Sequence, residues 1–521
     1  MTEEGALLPT IPAVAARAAR LWDAAPAIEQ NGLRMSFREL ERACLRAAAA
    51  FIASGLSKGD RVAIWAPNIA EWVVAAIGAQ TAGCVIVPLN TRLKGREAGF
   101  VLRRSGARLL LTVTGFLGVD YPDLLADETL PALEGIVLLS GASSRHQSWA
   151  QFLERGAGVP EEKVLEARDR VTPDDLADIM FTSGTTGEPK GVMSTHGQNV
   201  RTFLAWSEAV GLREGDRYLI INPFFHSFGY KAGWLACLLR GATMLPVPVF
   251  DAGAVMQQIV SDRVSVLPGP PAIFQSMLSH ESCGRIDLSS LRLAITGAAN
   301  VPPALIRRMR EELGFQSVLT AYGLTEAPVV TVCPHGVSDE RVALTCGKPI
   351  PGIEVKCVDD TGATVPPGET GEILVRGFCV MRGYFEDPEA TRNTIDADGW
   401  LHTGDIGVLD EEGFLRITDR KKDMFIVGGF NCYPAEIEKI LCEHPQVAQA
   451  AVIGVPDERM GEVGKAFIVP RPGETIDEAA LIAWCRANMA NYKVPRYVEI
   501  VSSLPMNASG KVQKFALRER S

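Results

Sequence analysis

Apolar positions along this chain follow two rhythms, and the change between them falls near residue 352. Before that point, short continuous apolar runs alternate with longer stretches of helical period. Residues 37–54 carry an alanine-rich helical face, and residues 61–65 read as a strand closed by Pro67 and Asn68. The same beat returns in strand-like runs at 176–181, 218–221, 242–246, 264–267 and 291–296, with helical segments between them. Such β–helix–β alternation predicts layered α/β structure with largely parallel sheets. The longest apolar stretch, residues 72–89, is broken by Gln80, Thr81 and two glycines. It reads as a buried helix followed by a separate buried strand at 84–88, not as a membrane span.

From about residue 352 the runs shorten and turn signals multiply, at Asp359 to Gly362, at Pro366 to Glu369 and at Glu411 to Gly413. That pattern predicts a small antiparallel sheet or barrel over about 352–418. The charged run 419–423 then resets the texture. Beyond it, residues 434–444 and 477–489 read as helices, and 450–455 and 465–470 as strands. The expectation is therefore an α/β protein with a large N-terminal domain at 1–420 and a small α+β domain at 421–521, joined at 419–423.

Composition narrows the class without naming it. A chain of 521 residues with 47% hydrophobic and 22% charged residues is an ordinary globular enzyme, long enough for two to four domains. The net charge of −10 argues against non-specific nucleic-acid binding, so any anionic ligand must be drawn in by local donors. Eleven cysteines without a C-x-x-C pair or zinc spacing read as reduced thiols, and the acidic N-terminus lacks a signal-peptide pattern. Both point to the cytoplasm.

One loop concentrates the chemistry. Thr182, Ser183, Gly184, Thr185, Thr186, Gly187 and Lys190 place glycines, hydroxyls and a cation just after the strand-like run 176–181. Backbone N–H groups, O–H donors and a lysine suit a polyphosphate. The spacing is not that of a P-loop, because Lys190 is followed by Gly191. A surface turn rich in glycine and threonine is the plain alternative.

With that loop, seven further segments resemble the adenylate-forming superfamily of acyl-CoA synthetases, aryl-CoA ligases, luciferases and peptide-synthetase adenylation domains, in the family's order and over nearly the whole chain. They are Phe224 to Gly229, Thr296 to Ala299, Thr320 to Glu326, Gly399 to Asp405, Asp419 to Asp423, Gly428 to Asn431, and Pro505 to Lys511. The resemblance implies that a carboxylate and ATP give an acyl-adenylate and pyrophosphate, and that CoA then gives the thioester. It puts Lys511, Thr182 and Glu326 at the chemistry, with Thr182 to Lys190 on the β- and γ-phosphates and Thr325 on phosphate. Glu326 takes Mg²⁺, for which one carboxylate suffices when phosphates supply other ligands. Tyr322 with Gly323 flanks adenine opposite Gly297, Ala298 and Ala299. Asp405 accepts the ribose hydroxyls, and Arg420 reaches the ribose and phosphate region. Lys422 is the hinge of a mobile C-terminal lid, whose rotation brings Gly428, Gly429 and Phe430 to a pantetheine tunnel.

His226 by itself reads as a packed core histidine; in the family's frame it binds and gates at the acyl entrance and is not a general base. His226, Phe228, Gly229, Ala327 and Val329 are the acyl-pocket candidates. The apolar side chains after Glu326, with no carboxylate to pair an ammonium, favour an apolar acid over an amino acid. Ile221 to His226, Gly229 to Gly233 and Val266 to Pro271 resemble the actinobacterial ligases of steroid catabolism that activate hexahydroindanedione propanoate. A medium- or long-chain fatty acid or an aryl acid is the alternative substrate, and a non-catalytic nucleotide-binding protein the alternative of another class. A homodimer is compatible with all of these. Two departures stand out: Asn300 where many relatives have proline, and Glu188 as an acid within the phosphate loop.

Overall fold

The computed structural model describes residues 10–182, 188–297, 301, 303–359, 361–420, 425–505, 512 and 514–519. Two mixed sheets dominate. One has eight strands in the spatial order Gly383–Tyr384, Lys190–Thr195, Leu176–Thr182, Val85–Pro88, Arg61–Trp65, Leu109–Val113, Gly135–Ser140, Gln147–Ser148. The other has nine, ordered Lys348–Pro349, Ala327–Val332, Ser317–Leu324, Leu293–Gly297, Val266–Gly269, Arg217–Ile220, Thr243–Pro246, Pro26–Gln30, Leu33–Ser36. Central strands run parallel and are buried along their length, as sheets covered on both faces by helices require. At one edge each sheet turns antiparallel: Leu176–Thr182 with Lys190–Thr195, and Ser317–Leu324 with Ala327–Val332. Those two edges carry the loops of interest.

Local sequence explains the helices. Ser36 and Glu39 form a reciprocal cap at the start of Phe37–Ala53, with Glu39 N–H donating to Ser36 Oγ at 3.2 Å and Ser36 N–H to Glu39 Oε2 at 2.8 Å. The alanine face of this helix packs on Ala70–Thr81. That second helix is buried all round, which accounts for the long apolar stretch. It ends before the strand Val85–Pro88, and among the described residues no helix is long and apolar enough to cross a membrane.

A charged pair lies inside this part of the molecule. Lys231, in the π-helical turn Tyr230–Leu235, sits 3.0 Å from Asp178 Oδ1, and both side chains are fully buried. Lys231 also donates to Ser194 Oγ at 3.0 Å, while Asn199 Nδ2 donates to Asp178 Oδ2 at 2.6 Å. The pair is thus hydrogen-bonded from both sides, the condition under which a buried charge is tolerated.

The later part of the chain forms a four-stranded antiparallel sheet, Ile353–Val358, Thr370–Gly377, Leu401–Leu409 and Leu415–Arg420. The predicted turns fall between its strands; Asp359 Oδ1 accepts from Thr361 N–H at 2.8 Å and Ala363 N–H at 3.0 Å. Residues from Phe425 onward build a separate α+β unit with its own core around Phe425, Ile437, Val452, Ala466 and Cys485. Its long hairpin, Val447–Asp457 with Gly461–Pro470, extends both predicted strands, and Tyr497–Ile500 joins it in parallel. The fold is the α/β layered domain with a small C-terminal α+β domain that the apolar pattern predicts.

Candidate active site

The phosphate loop springs from the antiparallel edge of the eight-stranded sheet, where Thr182 lies opposite Lys190. Ser183, Gly184, Thr185, Thr186 and Gly187 lie outside the described residues. Lys190 Nζ stands 5.2 Å from the centre of the Tyr384 ring, within cation–π range. The Tyr384 hydroxyl donates to Glu326 Oε1 at 2.8 Å. Burial, reinforced by that carboxylate, pushes the Tyr384 phenol well above its ordinary range, so it stays a donor. The Glu326 carbonyl is itself fixed by Met381 N–H at 2.7 Å.

Thr325 and Glu326 are the two-residue turn of a hairpin, with Leu324 paired to Ala327. This places both at the tip of a rigid edge. Gly323 beside them admits no side chain: a Cβ there would lie 2.2 Å from the Pro328 carbonyl oxygen. Just upstream, the buried Tyr322 reaches across to the four-stranded sheet, and its hydroxyl donates to Asp405 Oδ2 at 2.6 Å. Asp405 lies within an irregularity in the pairing of Leu401–Leu409, where Thr403 Oγ1 accepts the Asp405 N–H at 3.1 Å. Arg420 lies opposite Asp405 in the antiparallel register. Gly297 ends its strand alongside Ala321, and Ala298 and Ala299 lie outside the described residues, as does Asn300.

The His226 loop follows the strand Arg217–Ile220 and is held from the other sheet. Asn68 Nδ2 donates to the carbonyls of Ile220 and Asn222 at 3.1 and 2.9 Å, and Asn68 Oδ1 accepts Phe224 N–H at 2.8 Å. His226 Nδ1 accepts the Phe228 N–H at 3.2 Å. Burial pushes its imidazole down to about 4, so the ring is neutral near neutral pH. Phe228 is partly buried, Gly229 is buried, and Ala327 and Val329 share one buried face of their strand.

The C-terminal unit meets this site through the turn between Phe425–Val427 and Phe430–Cys432. Phe430 stacks on Tyr492 at 4.8 Å and on Phe225 at 6.5 Å, and the Arg92 guanidinium lies 4.4 Å over its ring. Gly428 and Gly429 both have positive φ, and a Cβ at Gly429 would come within 3.2 Å of Pro270 Cγ. Lys439 Nζ reaches Glu188 Oε1 at 3.1 Å, giving the unexpected loop acid a partner on the other domain. Lys422 and Lys511 lie outside the described residues.

Of the predicted residues, the structure thus gathers Lys190 and Glu326 around Tyr384, and Tyr322 with Asp405. It sets Phe430 beside Phe225, the neighbour of His226. Sequence reasoning missed Tyr384 and Asn68. The first sits on a two-residue edge strand, 58 residues from the carboxylate it holds. For the second, the only local signal was Pro67-Asn68 at a strand end.

The sequence profile of the AMP-binding enzyme family matches residues 15–385, and that of the AMP-binding enzyme C-terminal domain matches residues 436–511. The chain is 49% identical over 517 residues to the 3-[(3aS,4S,7aS)-7a-methyl-1,5-dioxo-octahydro-1H-inden-4-yl]propanoyl:CoA ligase of Rhodococcus jostii strain RHA1, covering 98% of each chain. It is 49% identical over 513 residues to the Mycobacterium tuberculosis ligase of the same name, covering 98% of this chain and 99% of the other. Among solved structures it is similar to an o-succinylbenzoate CoA synthetase variant from Bacillus subtilis bound to a product analogue, with a TM-score of 0.82, 30% identity and 98% of each chain covered.

Proposed function

The chain belongs to the AMP-binding enzyme family, and from that premise we propose that it is an AMP-forming acyl-CoA synthetase acting on the propanoate side chain of a methylated hexahydroindanedione. A carboxylate oxygen attacks the α-phosphorus of ATP, the bond to the β-phosphate oxygen breaks, and pyrophosphate leaves. The CoA sulfur then attacks the acyl carbon of the adenylate, its proton is lost, and AMP departs. The observation that carries this reading is 49% identity across essentially the full length of two ligases of one name.

The residues suit the chemistry. Adenylation needs charge neutralisation and in-line alignment more than a dedicated acid or base. Lys190 and the donors from Thr182 onward neutralise and hold the departing pyrophosphate, and Lys511 bridges the carboxylate and α-phosphate. Tyr322 flanks adenine while Asp405, oriented by the same tyrosine's hydroxyl, takes the ribose hydroxyls. Glu326 fits a divalent cation shared with phosphates. It is a single carboxylate at a hairpin tip, and among the described residues no cluster of three or more ligating side chains competes for the ion. When bound, Mg²⁺ supplies charge neutralisation on the phosphate oxygens. His226, neutral, shapes the acyl entrance instead of moving a proton. Gly428, Gly429 and Phe430 line the approach of pantetheine. Eleven free cysteines agree with a reducing cytoplasm.

The test is a panel of indanedione propanoate, octanoate, palmitate and coumarate, read as CoA-dependent AMP release. The indanedione acid is expected to give the highest kcat/KM. A preference for octanoate or palmitate would move the enzyme to fatty acids, and absence of pyrophosphate release with every acid would leave only a nucleotide-binding protein.

A further inference from the structure

One short segment of the N-terminal domain, residues 90–97, supplies four of the contacts to the C-terminal unit. Asn90 Nδ2 donates to the Tyr492 hydroxyl at 3.3 Å, Arg92 covers Phe430, Arg96 pairs with Glu443, and Glu97 pairs with Lys493. The segment is itself braced from below. Trp65 Nε1 donates to the Asn90 carbonyl at 3.0 Å, the Tyr121 hydroxyl donates to the Thr91 carbonyl at 2.9 Å, and the two rings stack at 4.5 Å.

Of the first three, Asn90–Tyr492 is a part-buried bond between neutral groups, Arg92 lies across a ring face and Arg96–Glu443 is at the surface, so charge contributes little to them. The fourth differs. Lys493 is 4% exposed and lies between two carboxylates, 2.9 Å from Glu97 Oε1 and 2.7 Å from Glu436 Oε1. Burial by itself would pull the ammonium down, but the carboxylates of Glu436 and Glu97 outweigh it and hold the charge. Glu97 is aimed by its second oxygen, which accepts the Lys94 N–H at 2.9 Å at the start of the helix Gly95–Ser105. Separation of the domains strands no charge. Lys493 keeps Glu436 from its own unit, and Glu97 returns to solvent at a helix N-terminus, where an anion is favoured. The contact is therefore strong enough to bias an orientation and cheap enough to release.

We propose that the buried Glu97–Lys493–Glu436 triad is a releasable latch, and that Lys493 and Glu97 are positioning residues for thioester formation, acting by holding Phe430 and Gly429 against Phe225 and Pro270. This rests on the acyl-CoA synthetase reading for its catalytic consequence, though not for the docking itself.

Glu97→Gln in the full-length enzyme is the cleanest test, because glutamine still accepts the Lys94 N–H. Thioester formation from supplied acyl-adenylate and CoA is expected to slow about tenfold, the loss of one charge-assisted hydrogen bond. Pyrophosphate release without CoA stays within about twofold of the parent, and the melting temperature is unchanged. Hydrogen–deuterium exchange rises at Phe430–Cys432 and at residues 90–97. Lys493→Met leaves Glu436 buried and unpaired, so it melts lower, yet adding Glu97→Gln to it slows thioester formation no further. Unchanged exchange at Phe430–Cys432 overturns the latch whatever the rates do. Raised exchange with an unaltered thioester rate, or equal slowing of both half-reactions, overturns the positioning role. A parent enzyme that makes no thioester from any acid defeats the synthetase reading instead, and the exchange result still decides the latch.

Discussion

The Tyr322 hydroxyl donates to Asp405 Oδ2 at 2.6 Å, tying the strand Ser317–Leu324 of the nine-stranded sheet to the four-stranded sheet at the proposed nucleotide site. The ring offers a face and the hydroxyl orients a carboxylate, so the two functions separate by mutation. Tyr322→Phe keeps the ring and releases Asp405. Its KM for ATP is expected to rise about tenfold, as loss of a hydrogen bond to a charged group predicts, with a smaller change in kcat. Pyrophosphate release at varied ATP measures it; an unchanged KM would remove Asp405 from ribose binding or Tyr322 from orienting it.

Lys511→Ala is expected to abolish adenylation and spare thioester formation from supplied acyl-adenylate. The two half-reactions are assayed separately, by pyrophosphate release and by acyl-CoA formation. Equal loss in both would deny Lys511 its place on the carboxylate and α-phosphate.

Gly429→Leu should do the reverse. Gly429 has φ of +88° and its missing Cβ faces Pro270, so any side chain is strained and collides with the docked partner. Acyl-adenylate still forms and accumulates, while CoA-dependent AMP release falls by more than about a hundredfold, the cost of misplacing a reacting group. Full CoA turnover in this variant would remove the turn from the thiol's path.

Acid should destabilise the fold before its carboxylates titrate. His196, 1% exposed, accepts the Ile11 N–H on Nδ1, and burial pushes its imidazole from 6.5 down to about 3, with Asp175 opposing and Lys58 adding to the shift. The unfolded chain therefore binds the proton that the folded chain refuses. The stability is fully present above pH 6.5 and is lost as pH falls below it. Melting temperature should drop between pH 6.5 and about 5, and His196→Gln should make that drop shallower, the remainder coming from the likewise depressed His226. A curve of the same slope in the variant would assign the loss elsewhere.

The apolar rhythm was enough to read the layered α/β core, because parallel strands buried on both faces and capped helices leave local traces, such as Val85–Pro88 and the Ser36–Glu39 box. The phosphate loop stood out for a similar reason, glycines and hydroxyls crowded after a strand being locally odd, whereas Thr320 to Glu326 was picked out only by its resemblance to the family's motif. What holds those residues was not legible. Tyr384 on Glu326, Asn68 on the His226 loop and Lys493 on Glu97 join positions 58 to 396 residues apart. Each is an ordinary polar residue in its own neighbourhood, and only the crossing of sheets and domains gives it a partner.

The fully buried Lys231–Asp178 pair has a consequence for how such an enzyme can change. Asp178 belongs to the eight-stranded sheet, and Lys231 to the turn that follows a strand of the nine-stranded one. Separating the sheets would leave a bare charge in an apolar interior, which costs about 3–5 kcal/mol when one partner is removed. The two sheets are thus a single block, expected to unfold in one step apart from the C-terminal unit; hydrogen exchange that opens one sheet before the other would contradict it. Change is then easier in side chains and loops at the ends of the sheets, while the block beneath is passed on whole.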